Sequence, residues 1–225
     1  MLRPKVFLLK PGSILRDESG EILDARSSVT LIVSRKRKII VDTGLEGEAA
    51  QIEKALTGLQ LSPEDIDCVV NTHSHPDHCG NNHLFSRAEI LAPRDCEQIV
   101  PGVWAMATPG HSLDSISIVV EGMPNDTIMA NVANMANMVD KARTPPMIVI
   151  AGDALPTFGN FQKNVPPAIH VDRNLAVSSM EKLIQLADIV VPGHDYPFSV
   201  RKSMYLQQPV LTPSGKQSSA QWLTD

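Results

Sequence analysis

Three histidines and one aspartate stand within six residues, directly after an apolar run, and this cluster constrains the chain more than any other feature. The apolar run is residues 66–71 (IDCVVN), which has the composition of a β-strand, and the cluster is His73-Ser74-His75-Pro76-Asp77-His78. Core packing requires no such concentration of imidazoles, whereas imidazole and carboxylate groups are common ligands of transition metals. The chain is therefore predicted to place a strand end at a metal site.

Other ligand-type residues also stand where predicted strands end. His111 follows Thr108-Pro109-Gly110, Asp153 follows Ala151-Gly152, and His194 follows Val191-Pro192-Gly193. A glycine precedes each of these three residues, and glycine allows a close approach of the backbone. We therefore expect these strand ends to converge on the cluster at one edge of the fold.

Short β-rich runs interleaved with amphipathic segments favour an α/β fold in which helices cover sheets. Strands are predicted at 29–33, 38–42, 66–71, 89–92, 103–108, 115–120, 147–151 and 188–191, and helices at 46–59 and 172–187. If strand 38–42 runs towards the metal site, its partner 29–33 runs away from it. The basic turn at 34–37 then lies at the far edge, and residues 11–28 and 154–171 lie near the site.

The ordered set H-x-H-x-D-H, P-G-H, A-G-D and P-G-H resembles the motif set of the metallo-β-lactamase superfamily. Val41-Asp42-Thr43-Gly44 is similar to the D-T-G motif of that superfamily, and the whole match spans residues 42–194. Within the superfamily, the chain is similar to small single-domain members. The resemblance implies an α/β fold of the αββα type, with two mixed β-sheets face to face and helices outside, in a single domain over residues 1–225.

The resemblance also implies which residues bind metal. His73, His75 and His111 would hold one ion, Asp77, His78 and His194 would hold a second, and Asp153 would bridge them. Asp42 would accept a hydrogen bond from a ligand imidazole without binding metal itself. Asp77 is, in addition, the candidate for catalytic proton transfer. The expected cofactor is a pair of Zn²⁺ ions, with iron or manganese as alternatives.

The implied function is that of a dinuclear zinc-dependent hydrolase that cleaves a small ester, lactone or thioester with a metal-bridging hydroxide. Two alternatives share these motifs: a metal-dependent ribonuclease or phosphodiesterase, and a mononuclear-iron persulfide dioxygenase. Aromatic residues are scarce, at 4% of the chain, and several fall in the loops expected near the site. Phe158, Phe161, Tyr196 and Phe198 are therefore predicted to form a wall of the substrate pocket, with core packing as the alternative.

The amino-acid composition limits which binding partners and which cellular location are expected. The 20 Lys and Arg against 25 Asp and Glu give a net charge of −5, which disfavours nucleic acid without excluding it and leaves a small-molecule substrate as the expected partner. The three cysteines include no C-x-x-C pair, which argues against a disulfide framework. No apolar run approaches the roughly 18 residues of a membrane span. No membrane contact and a cytoplasmic location are expected.

Two segments are predicted to stand apart from the sandwich. Residues 124–146 are predicted to form a helical insertion, because Ile128, Val132, Met135 and Val139 fall on one stripe of a helix. That stripe would pack on its own domain or form a homodimer with a second copy. Residues 207–225 are rich in polar residues and are predicted to form a loosely held tail.

Overall fold

The structure, a computed structural model, describes residues 3–124 and 146–200. The interior of the predicted helical insertion and the whole predicted tail lie outside these residues. The described strands are β1 (Lys5–Lys10), β2 (Ser13–Arg16), β3 (Ile22–Arg26), β4 (Val29–Val33), β5 (Lys38–Val41), β6 (Cys68–Val70), β7 (Glu89–Leu91), β8 (Gln98–Val100), β9 (Val103–Ala107), β10 (Ile116–Glu121), β11 (Met123–Pro124), β12 (Met147–Gly152), β13 (Ile189–Pro192) and β14 (Phe198–Ser199). The described helices are α1 (Ala49–Gly58), α2 (Pro76–Cys79), α3 (Phe158–Lys163) and α4 (Arg173–Leu186), and 3₁₀ turns occur at Pro63–Asp65 and Asn82–Phe85.

The strands form two six-stranded sheets and a separate hairpin. The first sheet has the order β11-β1-β4-β5-β6-β7, and the second has the order β14-β13-β12-β10-β9-β8. Among the described strands, β2 pairs with β3 alone. Both sheets are mixed: β4 and β5 are antiparallel while β5 and β6 are parallel, and β10 and β12 are antiparallel while β12 and β13 are parallel. The mixed sheets that the sequence predicted are confirmed.

The alternation of side chains between the two faces of the central strands explains why each sheet is covered on both faces. On β5, Ile39 and Val41 belong to the core between the two sheets, whereas Ile40 packs on the opposite face with Ile52 and Leu56 of α1. Successive side chains of a strand point to opposite faces, so an uninterrupted apolar run must be covered on both. The first sheet therefore has the second sheet on one side and a helix on the other.

The second sheet is covered in the same way. On β12, Ile148 and Ile150 face the first sheet, while Val149 packs with Met180 and Leu183 of α4. The result is the predicted order of layers, helix, sheet, sheet, helix. Among the described helices, none is both long enough and apolar enough to cross a lipid bilayer.

One difference from the sequence prediction is the start of α1. The helix was predicted from residue 46 but begins at Ala49. Gly44 and Gly47 have φ angles of +72° and +90°, which an α-helix does not accommodate. Glu48, which immediately precedes the helix, is buried and pairs with Lys10 at 3.1 Å. Glu46 therefore lies in a turn and Glu48 in an ion pair with Lys10, and neither belongs to the first turn of α1.

Candidate metal centre

The histidine cluster lies on the loop that leaves β6 and in the short helix α2. His75 immediately precedes α2, and Pro76 fits the first helical position because its missing N–H needs no partner there. The carbonyl of His78 accepts hydrogen bonds from the Asn71 side chain at 2.9 Å and from the Thr43 N–H at 2.8 Å. The loop is thus tied to both β5 and β6, which fixes the positions of its imidazoles.

All seven predicted ligands meet at this point. Three groups of ligand-capable atoms each lie within 4.8 Å of one another: His73 with His75 and His111, His73 with His78 and Asp153, and Asp77 with His78 and His194. The groups share members, so the seven side chains form one continuous cluster. The strand ends converge as predicted, since the residues come from the loops after β6, β9, β12 and β13.

Hydrogen bonds to backbone and carboxylate oxygens orient three of the imidazoles. His78 Nδ1 lies 2.8 Å from Asp42 Oδ2, His111 Nδ1 lies 2.8 Å from the carbonyl of Ile169, and His194 Nδ1 lies 3.0 Å from the carbonyl of Arg26. A carbonyl can only accept, so Nδ1 of His111 and of His194 carries the proton. Nε2 of each ring is then the atom directed at the cluster, which is the arrangement of a metal-binding histidine.

Asp42 is a buried acceptor beside the cluster. Its Oδ1 accepts the Thr72 N–H at 2.7 Å, and its Oδ2 accepts the Thr72 hydroxyl at 2.9 Å as well as contacting His78. Asp42 belongs to none of the three ligand groups. Its φ of +59° turns the chain sharply at the end of β5. The structure therefore places Asp42 where the sequence predicted an acceptor for a ligand imidazole.

Unpaired buried atoms test whether the cluster fits a metal ion. His73 Nε2, His78 Nε2 and Asp153 Oδ1 are buried and have no hydrogen-bond partner among the described residues. Buried polar atoms are almost always partnered, and all three of these belong to one ligand group. A set of imidazole nitrogens with carboxylate oxygens suits a transition metal such as Zn²⁺ better than Mg²⁺ or Ca²⁺. The residues present fit a metal site.

The pKa values within the cluster reflect burial opposed by opposite charges. Burial, with the neighbouring His78, lowers the pKa of His73 to about 2. Burial also disfavours charged His78, but Asp42 and Asp153 outweigh it and hold the pKa of His78 well above its usual value. Burial likewise disfavours charged His194, but the hydrogen bond to Asp153, the negative charge of Asp153 and the Arg26 carbonyl together outweigh it and raise the pKa of His194. For Asp153, burial is outweighed by His78 and His194, and the pKa lies well below normal.

These pKa shifts predict that metal binding releases protons. A metal-binding imidazole must be neutral. His73 already favours its neutral form, whereas the raised pKa values of His78 and His194 favour their charged forms before metal binds. Zinc affinity should therefore fall as the pH drops below the raised pKa values, and proton release should vanish above them. Zinc titration calorimetry in buffers of different ionisation enthalpy measures the release. The exposed His83 provides the control, since His83→Asn should release the same number of protons. Heats independent of the buffer would contradict the prediction.

Gly193 gives a direct test of how tightly the cluster is built. A Cβ at this position would lie 2.3 Å from Asp153 Oδ1 and 2.9 Å from the carbonyl of Gly152. Gly193→Ala should therefore displace the Asp153 carboxylate and lower metal affinity by about tenfold or more. Gly58→Ala is the matched control, because a Cβ there would meet nothing within 4 Å. Equal zinc affinity in the two variants, measured with a competing chelator, would show that the Asp153 position does not matter.

A cavity of about 510 Å³ opens onto the cluster. His75, Asp77, His111, Asp153 and His194 line its base. The β2–β3 hairpin forms one part of the wall, with Ile14 and Ile22, and residues 165–169 form another part. The prediction that residues 11–28 and 154–171 border the site is confirmed. The same two segments also orient histidines of the cluster. The carbonyl of Ile169 accepts a hydrogen bond from His111, and the carbonyl of Arg26 accepts one from His194.

Of the four aromatic residues predicted to form the substrate pocket, three pack in the core and the fourth lines a neighbouring cavity. Phe158, Phe161 and Phe198 pack on one another, with ring centroids 5.0–6.0 Å apart, in the core cluster between the second sheet and its helices. None of them lines the 510 Å³ cavity. Tyr196 is exposed and lines a neighbouring cavity of about 360 Å³, which it shares with His194. The pocket prediction rested on the positions of the few aromatic residues in the sequence. Those positions do not show whether a ring faces the cavity or the core, and the aliphatic residues that line the cavity were therefore missed.

Comparisons with known proteins agree with the fold and identify the family. Residues 24–96 match the family model described as the metallo-beta-lactamase superfamily. A protein from Methanocaldococcus jannaschii named as a metallo-hydrolase is 34% identical over 201 residues, which is 84% of this chain and 86% of the relative. Metallo-beta-lactamase domain-containing protein 1 of Mus musculus is 30% identical, over 94% of this chain and 81% of the relative.

One of the similar solved structures is an N-acyl homoserine lactone hydrolase with the product N-hexanoyl-L-homoserine bound at its catalytic metal centre. The TM-score is 0.63 and the sequence identity 21%, and the match covers 87% of this chain and 94% of the hydrolase. At this identity the likeness establishes a shared fold.

Proposed function

The chain belongs to the metallo-β-lactamase superfamily and is a metal-dependent hydrolase, and from this premise we propose that it uses two zinc ions to cleave small esters, lactones or thioesters. Esters, lactones and thioesters share an electrophilic carbonyl.

We assign one zinc ion to His73, His75 and His111 and the other to Asp77, His78 and His194, with Asp153 shared between them. The contacts of Asp153 support a shared carboxylate: Oδ1 lies 3.4 Å from His78 Nε2 and 3.1 Å from His194 Nε2, and Oδ2 lies 3.3 Å from His194 Nε2 and 3.4 Å from His111 Nε2. Asp153 is thus the carboxylate in contact with histidines of both sets.

Zinc supplies two things when bound: it lowers the pKa of coordinated water towards about 7, and it polarises a substrate oxygen. The chain itself supplies orientation and proton transfer. Asp77 is suited to proton transfer, because its carboxylate lines the cavity and its Oδ2 lies 3.5 Å from His194 Nε2. In this proposal the Asp77 carboxylate takes a proton from the attacking water and returns it to the leaving group.

The observation that carries the proposal is the open cavity beside the ligand cluster. A structural zinc site is closed by protein ligands on every side, whereas a catalytic site keeps a position open to solvent and substrate. Here five of the seven cluster residues line a cavity of about 510 Å³, which is within the range of small-molecule sites. Its walls are largely aliphatic, which suits the acyl part of an ester or thioester.

A substrate panel tests the proposal. Zinc-loaded protein should hydrolyse lactones and thioesters, and His111→Ala should lose this activity while His83→Asn keeps it. Faster cleavage of a phosphodiester than of any carbonyl substrate would replace the proposal with a phosphodiesterase. Oxygen consumption with a persulfide, by protein that holds one iron per chain, would replace it with a dioxygenase.

A further inference from the structure

Arg16 is an unpaired cation at the wall of the proposed substrate cavity. Of the lysine and arginine side chains in the described ranges, it is the one that lines the 510 Å³ cavity, and it also lines the adjoining 360 Å³ cavity. Its Nη1 donates to the carbonyl of Gly20 at 2.7 Å, which anchors the guanidinium at the tip of the β2–β3 hairpin. No carboxylate of a described residue forms an ion pair with it.

Two carboxylates of the hairpin are already engaged, and the first is Asp17, next to Arg16, which accepts the N–H groups of Ser19 and Glu21 at 2.9 Å. Asp24 pairs with Arg26 at 2.6 Å, and Arg26 also contacts the buried Glu48 at 3.3 Å. In the adjoining cavity, Asp195 accepts the backbone N–H groups of Phe158 and Tyr196. The fork of N–H donors on Arg16 therefore remains available on the cavity side, and such a fork matches the two oxygens of a carboxylate.

An aliphatic surface separates Arg16 from the ligand cluster. Ile14 lies two residues before Arg16 on β2, so both side chains share a face, and Ile22 pairs with Arg16 across the hairpin. Ile14, Arg16 and His194 line both cavities. A bound molecule that reaches from His194 to Arg16 must therefore pass over apolar side chains.

We propose that the substrate carries a carboxylate, joined by an apolar segment to the bond that is cleaved, and that Arg16 binds this carboxylate. The inference rests on the proposed function, since it assumes that a carbonyl compound is hydrolysed at the metal centre. The single guanidinium has Asp24 in the wall of the 510 Å³ cavity and Asp195 in the wall of the adjoining cavity. These charges favour a singly charged carboxylate over a doubly charged phosphate monoester. Arg16 thus determines specificity and takes no part in bond cleavage.

A charge-matched substrate series tests the proposal. Thioesters with the same acyl chain would end in a carboxylate, in the isosteric carboxamide or in an ammonium group, and kcat/KM would be measured for each with zinc-loaded protein. The kcat/KM of the carboxylate thioester should exceed that of the carboxamide thioester by about tenfold, since a hydrogen bond between charged groups contributes binding free energy of about this size. In Arg16→Gln this ratio should fall to about one. Arg35→Gln, which removes an exposed charge from the far turn, should keep the ratio of the unaltered protein.

Binding of non-hydrolysable ligands separates this inference from the proposed function. Ether analogues of the same three compounds would be titrated calorimetrically into both proteins. A preference for carboxylate that is lost in Arg16→Gln, without hydrolysis of any thioester, would uphold the carboxylate site and refute the hydrolysis. Hydrolysis with equal rates for carboxylate and carboxamide would refute the carboxylate site alone. No hydrolysis and no charge preference in binding would refute both.

Discussion

Asp153→Ala should remove metal from the protein and lower hydrolysis by about a thousandfold, because a metal ion contributes several kcal/mol to stabilisation of the transition state. Asp153 is buried, and its two oxygens contact the Nε2 atoms of His78, His111 and His194 within 3.1–3.4 Å. Loss of the carboxylate leaves these imidazoles facing one another without the negative charge that holds them together. Both metal positions should therefore weaken. Metal content after dialysis and kcat/KM for a thioester measure the two losses.

Asp188→Ala is the matched control for Asp153→Ala. Asp188 is also buried, but it lies at the start of β13, where it accepts the Met147 N–H at 2.8 Å. That position is at the opposite end of the strand from His194. The control should lose stability, because a buried N–H loses its partner, and should keep its metal. Full zinc occupancy in folded Asp153→Ala would remove this residue from the metal site.

Asp42→Asn should lower zinc affinity by about tenfold to 100-fold, the usual cost of losing a carboxylate that orients a metal-binding histidine. Asparagine has nearly the same size and tolerates the φ of +59° at this position. The change therefore replaces one acceptor oxygen beside His78 Nδ1 while keeping the turn. It also removes the charge that most strongly raises the pKa of His78, so fewer protons should be released on zinc binding.

Chelator competition measures the affinity of Asp42→Asn, and excess zinc should restore much of its hydrolysis. Restoration distinguishes a residue that orients a ligand from one that binds metal, since Asp153→Ala should not recover under the same conditions. Unchanged zinc affinity in Asp42→Asn would contradict the role assigned to the hydrogen bond with His78. A melting temperature far below that of the unaltered protein would instead show that the main role of Asp42 is to hold Thr72 and the loop.

The sequence predicted the convergence of the metal cluster because each of its parts follows a strand. His73, Asp153 and His194 lie just beyond runs rich in β-branched residues, and His111 lies just beyond the apolar run VWAMA. Side chains after strands that point the same way meet at one edge. The layers were predictable for a related reason. The runs KIIV and MIVIAG are apolar at every position near their centre, and a strand buried on both faces needs a sheet on one side and a helix on the other.

The substrate cavity could not be predicted to the same extent. The β2–β3 hairpin leaves Leu15 and Leu23 exposed, so it lacks the alternation of buried and exposed residues by which a strand is recognised. Phe161 and Phe198 follow the site in sequence but turn into the core beneath the second sheet. Which face of a loop is buried depends on tertiary packing, which periodicity in the sequence does not encode.

The central claim is that the seven clustered side chains hold two zinc ions in a hydrolytic site. Metal analysis of the full chain by mass spectrometry, after zinc loading and removal of excess metal, tests this most directly. The account predicts two zinc ions per chain in the unaltered protein and in His83→Asn, and fewer in Asp153→Ala. One zinc ion per chain at saturation, with unchanged content in Asp153→Ala, would contradict it.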